Sequence, residues 1–276
     1  MEIRLAKSYG FCFGVKRAIK IAEDSKDAIT IGSLIHNNEE IKRLKDNFNV
    51  TTAHDIKDIN NTSKVIIRTH GITKSDLERL KQMNTQIIDA TCPYVKKPQE
   101  IVKKMSEEGY QIVIFGDETH PEVKGVKSYA KNSPIVVLSV EELLGIDYLQ
   151  KIAVVSQTTR KMSEFLKIIN FLVENVREVR IFNTICNATF DNQDAARELS
   201  SEVDIMLVVG GKNSSNTKQL FTISKDNCKD CFLIENEKEL EKGWFKGKKV
   251  CGITAGASTP DWIIKKIIAK IREFRV

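Results

Sequence analysis

The sequence predicts an α/β fold: three small α/β domains in a pseudo-threefold, trefoil-like arrangement. Three observations predict it. Short β-branched runs alternate with helical patterns along the whole chain of 276 residues. Cys12, Cys92 and Cys186 each follow a strand pattern and precede a helical one, at intervals of 80 and 94 residues. After each cysteine one succession recurs: helix, strand, polar turn, further chain, strand, polar turn. Length alone suggests about two domains at roughly 150 residues each. The repeat raises this to three, placed at 13–91, at 92–183, and at 1–12 together with 184–276.

In chain order, the strand patterns are EIRLA at 2–6, AITIG at 28–32, KVIIRT at 64–69, QIIDAT at 86–91, QIVIF at 111–115 and PIVVL at 134–138. KIAVVSQT at 151–158, VRIFNT at 179–184, DIMLVVG at 204–210, CFLI at 231–234 and KVCGIT at 249–254 follow. Helical patterns cover 15–25, 37–47, 74–83, 94–108, 160–176, 191–202 and 260–273. The last has the plainest start, with Thr259 as N-cap, Pro260 at the first helical position and Asp261 beside it. Strands alternating with helices predict mostly parallel sheets.

A hydrophobic fraction of 41% with 29% charged residues excludes a disordered or fibrous chain. No apolar run approaches the roughly 18 residues that span a bilayer. The first residues lack the long apolar core of a secretion signal, so the expected location is the cytoplasm. The net charge is +6. Basic residues are interspersed with acidic ones, and no basic stripe with interleaved aromatics is present, so neither nucleic acid nor membrane is expected as a partner.

Six cysteines in a cytosolic protein favour metal or catalytic roles over disulfides. Cys12, Cys92 and Cys186 are isolated, one per repeat, which is poor spacing for a closed zinc site. Thiolates also suit iron–sulfur clusters, and three of them on a four-iron cluster would leave one iron open to a substrate oxygen. Cys228 and Cys231 form a CxxC that precedes a strand instead of opening a helix. They are expected to be bystanders, and Cys251, inside an apolar strand, to be core.

The polar turns form a second set. His36 and His70 lie in the first repeat, His120, Glu122, Thr158 and Thr159 in the second, Ser214, Ser215, Asn216 and Ser258 in the third. All follow strands, where open α/β sheets bind ligands. Imidazole, hydroxyl and amide groups with few acids among them suit an anion. Glu122 either complements a helix dipole or delivers a proton, with Thr158 as relay. His54 has no counterpart in the other repeats and is read as structural.

The strings GFCFGVKRAI, IHN, THG, DATCP, HPEV, SQTT, CNAT with Gln193 after it, KNSSN and TAGAS run in order from about residue 10 to 262. Together they resemble the LytB/IspH family of 4-hydroxy-3-methylbut-2-enyl diphosphate reductases. Two local departures stand out: Asn192 precedes Gln193 where arginine is common, and GDET precedes His120. The resemblance implies three domains around a central [4Fe–4S] cluster held by Cys12, Cys92 and Cys186. It implies diphosphate binding by His36, His70, His120, Ser214, Ser215, Asn216 and Ser258, and a cavity position for Thr189. It implies proton delivery by Glu122 through Thr158, with His120 in the catalytic set. The implied reaction is reductive loss of the allylic hydroxyl, giving isopentenyl and dimethylallyl diphosphates in the last step of the non-mevalonate isoprenoid pathway. A ferredoxin or flavodoxin would supply electrons. The residues themselves leave open a zinc-dependent hydrolase of a phosphate ester and a non-catalytic anion-binding module.

Overall fold

The computed structural model describes residues 1–59 and 64–274. In chain order its elements are β1 (Glu2–Leu5), α1 (Phe13–Ser25), β2 (Ala28–Ile31), α2 (Asn38–Phe48), β3 (Val50–Ala53), β4 (Lys64–Ile67), α3 (Lys74–Gln82) and β5 (Gln86–Asp89). Then come α4 (Pro93–Glu107), β6 (Gln111–Phe115), α5 (Pro121–Lys127), β7 (Ile135–Val137), β8 (Lys151–Ser156), α6 (Met162–Asn175) and β9 (Glu178–Phe182). The chain continues with α7 (Asn187–Ser200), β10 (Ile205–Val209), α8 (Ser215–Asn227), β11 (Cys231–Ile234), β12 (Val250–Ala255) and α9 (Asp261–Glu273).

The strands form three four-stranded sheets, ordered β3-β2-β4-β5, β7-β6-β8-β9 and β11-β10-β12-β1. Every pairing is parallel. Each sheet therefore has the same order, second-first-third-fourth, and in the last sheet the fourth place is filled by β1 from the opposite end of the chain. In such sheets the order reverses between the first and third strands, and the crevice for a ligand opens beyond their carboxyl ends.

Backbone bonds repeat with the topology. The glycine after each first strand donates to the end of the second: Gly32 to Ala53, Gly116 to Val137 and Gly210 to Ile234. The N–H of each repeat cysteine donates to a carbonyl just past the third strand: Cys92 to Thr69 at 3.0 Å, Cys186 to Thr158 at 3.0 Å and Cys12 to Ala257 at 3.2 Å. The repeat read from cysteine spacing is thus a repeat of hydrogen bonds.

The described chain separates into two compact units. The first comprises Met1–Lys16, Ile35–Arg43 and the chain from Asn187 onward, and holds the sheet containing β1. The second comprises Arg17–Leu34 and Leu44–Cys186 and holds the other two sheets. In the first unit, Ile263, Ile264, Ile267 and Ile271 of α9 pack on Ile205, Leu207, Val209 and Ile253. Ala195, Ala196, Leu199 and Leu220 of α7 and α8 cover the opposite face through Met206 and Val208. Burying each isoleucine or leucine contributes about 1.5–3 kcal/mol. In the second unit, Val102 and Met105 of α4 with Val123 and Val126 of α5 cover Ile112, Ile114, Ala153 and Val155. Leu80 of α3 covers Val65 and Ile67.

The structure corrects the sequence reading at several points. β3 carries no strand signal because its four residues follow α2 after a single residue, Asn49, held at φ 53°. The short α5, of seven residues, and the longer α8 show in the sequence only through their starting residues. α7 begins at Asn187, earlier than expected, which places Thr189 on the helix and buries it. The expected cap of α9 is wrong: Pro260 occupies the N-cap position and Asp261 is the first helical residue. The Thr259 hydroxyl instead donates to the carbonyl of Val209 at 3.0 Å, satisfying a buried group at the end of β10.

Candidate active site

In the second unit, the residues beyond β4, β6 and β8 meet around Glu122. His120 is the N-cap of α5, and its Nδ1 accepts the backbone N–H of Glu122 at 3.2 Å. A ring nitrogen that accepts cannot carry the proton, so this bond assigns the neutral ring's hydrogen to Nε2. The His70 and His120 rings meet edge to face, with centroids 5.4 Å apart. Thr69 donates its hydroxyl proton to the carbonyl of Leu34 at 2.8 Å, so in its 3.4 Å contact with His70 it is Nδ1 of the histidine that donates.

The Glu122 side chain is 2% exposed. Its Oε1 accepts the Thr158 backbone N–H at 2.7 Å and its Oε2 accepts the Thr158 hydroxyl at 2.8 Å. Burial pushes the carboxyl above its ordinary range, against the lowering effect of both Thr158 bonds and of Arg160. The helix-dipole reading alone does not account for this group, because α5 has only seven residues and a dipole complement gains nothing from burial. A carboxyl held toward its protonated form has a proton to offer. Thr158 extends the chain: its carbonyl accepts the N–H of Cys186 at 3.0 Å.

In the first unit, the segment carrying His36 lies against the residues beyond β10 and β12. The Ser258 hydroxyl donates to the His36 carbonyl at 3.2 Å. Gly211 lies so close that a Cβ there would stand 2.4 Å from the same oxygen, so only glycine fits. Ser214 caps α8, its Oγ accepting the N–H of Thr217 at 3.3 Å. Asn216, 4% exposed, has neither its Oδ1 nor its Nδ2 hydrogen-bonded. A buried amide in that condition costs about 1–3 kcal/mol unless a polar ligand satisfies it. Ser215 and Thr189 begin α8 and line α7 respectively, Thr189 buried. Asn192, where the sequence departs from the family pattern, accepts the Ser8 hydroxyl at 2.6 Å and so holds the chain just before Cys12.

Sequence reasoning missed the clamp on the His36 segment. Glu40, 1% exposed, accepts Trp262 Nε1 at 2.9 Å and Arg43 through both Nε and Nη2. Asn236 donates to Glu39 at 3.2 Å, and Asn37 Oδ1 caps the turn by accepting the Glu40 N–H. Glu40 and Trp262 lie 222 positions apart, and no local pattern signals such a pair. Trp262→Phe is expected to cost about 1–3 kcal/mol, since it strips a donor from a buried carboxylate. Urea titration measures it, and an unchanged midpoint would remove the clamp's importance.

The six cysteines fall into two groups by burial. None is in a disulfide. Cys12, Cys92 and Cys186 are half-buried at equivalent backbone anchors, while Cys228, Cys231 and Cys251 are fully buried. Burial pushes the thiols of Cys231 and Cys251 up to about 12, so both are protonated at neutral pH. His54, exposed, takes no part in either cluster.

Three comparisons bear on this arrangement. The model of the LytB protein family matches residues 3–272. The 4-hydroxy-3-methylbut-2-enyl diphosphate reductase of a Nitratiruptor species is 67% identical over 276 residues, covering 100% of both chains. The protein of that name from Campylobacter jejuni subsp. jejuni serotype O:2 is 64% identical over the same full length. A solved (E)-4-hydroxy-3-methyl-but-2-enyl diphosphate reductase, the terminal enzyme of the non-mevalonate pathway, aligns at TM-score 0.73 and 40% identity over 99% of this chain and 100% of that one. The E-1-hydroxy-2-methyl-but-2-enyl-4-diphosphate reductase of Plasmodium falciparum aligns at TM-score 0.91 and 27% identity, over 97% of this chain and 87% of that one. The chain belongs to the LytB protein family.

Proposed function

We propose that this protein reduces 4-hydroxy-3-methylbut-2-enyl diphosphate to isopentenyl and dimethylallyl diphosphates, the last step of the non-mevalonate isoprenoid pathway. Two electrons and two protons enter, the allylic C–O bond breaks, and the hydroxyl leaves as water. The observation that carries the reading is Thr158, which accepts the Cys186 N–H on its carbonyl while its own N–H and hydroxyl bind the buried carboxyl of Glu122. One residue thereby ties the proton donor to a predicted cluster ligand.

The donor set fits a [4Fe–4S] cluster. Cys12, Cys92 and Cys186 repeat one anchor, and the remaining three cysteines are held as thiols in the core. When bound, such a cluster would supply the electrons and an open iron acting as Lewis acid on the hydroxyl oxygen. The protein does the rest. His36, His70, His120, Ser214, Ser215, Asn216 and Ser258 are the proposed diphosphate ligands, as the family resemblance implies. The buried Asn216 amide supports this, having a donor and an acceptor to offer. His120, with its proton on Nε2, donates to a phosphate oxygen. Protonated Glu122 passes its proton to the Thr158 hydroxyl, whose own proton moves on toward the leaving oxygen. Thr189, buried on α7, lines the cavity.

A ferredoxin or flavodoxin is the proposed electron donor, and the cytoplasm the proposed location. Among the described residues no helix is long and apolar enough to cross a membrane. We keep 13–91, 92–183, and 1–12 with 184–276 as the proposed domains, one per sheet. Neither the hydrolase nor the binding-module alternative finds support among the relatives. Anaerobically purified protein should be brown, contain iron, change its EPR signal on adding the allylic diphosphate, and turn it over with a reductant. A colourless protein holding one zinc would overturn the proposal. Replacing Cys228 and Cys231 together by alanine should lower stability by about 1 kcal/mol per site and leave iron content unchanged.

A further inference from the structure

We infer that the second unit carries another oxyanion site, distinct from the residues assigned to the diphosphate, in the cleft around Arg68. The cleft has a volume of about 200 Å³ and opens beyond the carboxyl ends of β2, β3 and β4. Its lining includes Gly32, His54, Arg68, Arg79 and Lys124, and none of His70, His120, Glu122 or Thr158.

Arg68 is what calls for a ligand. Burial pulls its pKa below the ordinary arginine value, so the guanidinium has lost much of its water. Little replaces that water: Nε donates to the Gly71 carbonyl at a long 3.4 Å, and among the described residues no carboxylate pairs with it. Asp76 lies near enough to act on Arg68 only through its field, and its Oδ2 accepts the Thr73 hydroxyl at 2.7 Å. Asp55, the other acid of the cleft, accepts the N–H of Lys57 in its own turn. A desolvated cation without a counter-charge is expensive to keep. A planar guanidinium in this condition suits the oxygens of a phosphate group.

The site is also built to hold the guanidinium in place. Gly32, at φ +67°, lets it lie directly on the backbone: a Cβ there would stand 2.3 Å from Nη1 and 2.9 Å from Cζ. Arg79 and Lys124 are exposed at the rim and add two charges, with His54 beside them. The ligand class is a small oxyanion of phosphate type, free or as the terminal group of a larger molecule. It would lie against the turn leading to His70, whose Gly71 N–H donates to the Arg68 carbonyl at 3.0 Å, and against α5, which His120 caps.

The test is a titration of the full-length holoenzyme with inorganic phosphate, with its diphosphate site filled by substrate and no reductant present. Calorimetry should show one saturable phosphate site. Arg68→Gln should weaken it at least tenfold, and Lys124→Ala, a rim change that leaves the core intact, about threefold. Phosphate should raise the melting temperature of the wild type but not of Arg68→Gln. A terminal phosphate of a larger ligand would show as tighter binding of a phosphate monoester with the same Arg68 dependence. No saturable site, or equal binding by wild type, Arg68→Gln and Lys124→Ala, would overturn the inference. Should Arg68→Gln fail to fold, Lys124→Ala and His54→Ala carry the test. If the protein does not bind the allylic diphosphate, the function proposed above fails, while the unloaded titration still reads the cleft.

Discussion

Glu122→Gln is expected to lower reductive turnover by about 10²–10⁴-fold, the range for loss of a positioned acid, with the fold intact. Glutamine keeps the length of the side chain. Its Oε1 can accept the Thr158 N–H as the carboxylate does, and its amide can donate to the Thr158 hydroxyl. The variant therefore removes the proton and little else, and bound iron and substrate affinity should be unchanged. Stability gives an independent check. Burial raises the folded-state pKa of Glu122 above that of the unfolded chain. The stability it contributes is then fully present below the unfolded value, near 4.5, and is lost as pH rises through the folded one. Glutamine does not titrate, so that part of the pH dependence should vanish. Turnover should also fall on the alkaline side in the wild type as Glu122 ionises. Normal activity in Glu122→Gln, or a stability profile identical to wild type, would remove the carboxyl from the mechanism.

Serine at Cys12, Cys92 or Cys186 should abolish turnover and lower bound iron for each variant alone. The reason is the threefold anchor: each cysteine N–H is fixed on a carbonyl past a third strand, so no neighbouring cysteine can take over the lost place. The other three sulfurs are buried in the core. Circular dichroism should be close to wild type, because each of the three side chains is half-buried and none lies in the hydrophobic core, and Cys92, N-cap of α4, makes no side-chain capping bond. Full iron content in any of the three would break the assignment of that cysteine.

Much of the fold is legible in the sequence, and its strand ends are the most legible part. Cys12, Cys92, Cys186, His36, His70, His120 and Ser258 stand out in the sequence because strong β-branched runs precede them, and a strand end is a position that sequence patterns mark well. β3 was not found, since four residues directly after a helix leave no room for a period. α5 was visible only by its Pro121 start. Its seven residues, with Gly125 among them, are too few for a hydrophobic face to repeat. The Thr259 cap was misplaced because local preference for a cap lost to a buried carbonyl 50 positions away. The Glu40–Trp262 clamp and the poorly paired guanidinium of Arg68 left no trace in the sequence. Both depend on what the fold brings near, or fails to bring near, a charge.

The place of β1 in the last sheet also bears on how the protein is made. Glu2 pairs with Val250 and Leu5 with Ile253, and Cys12 hangs on the carbonyl of Ala257. During synthesis β1 leaves the ribosome ahead of the second unit and waits for β12 to appear. Contacts of such sequence separation form late and slowly. The cysteine at residue 12 thus acquires its fixed position only after residue 257 has emerged, so on the proposed assignment the three cluster cysteines would stand in place together only from that point of synthesis.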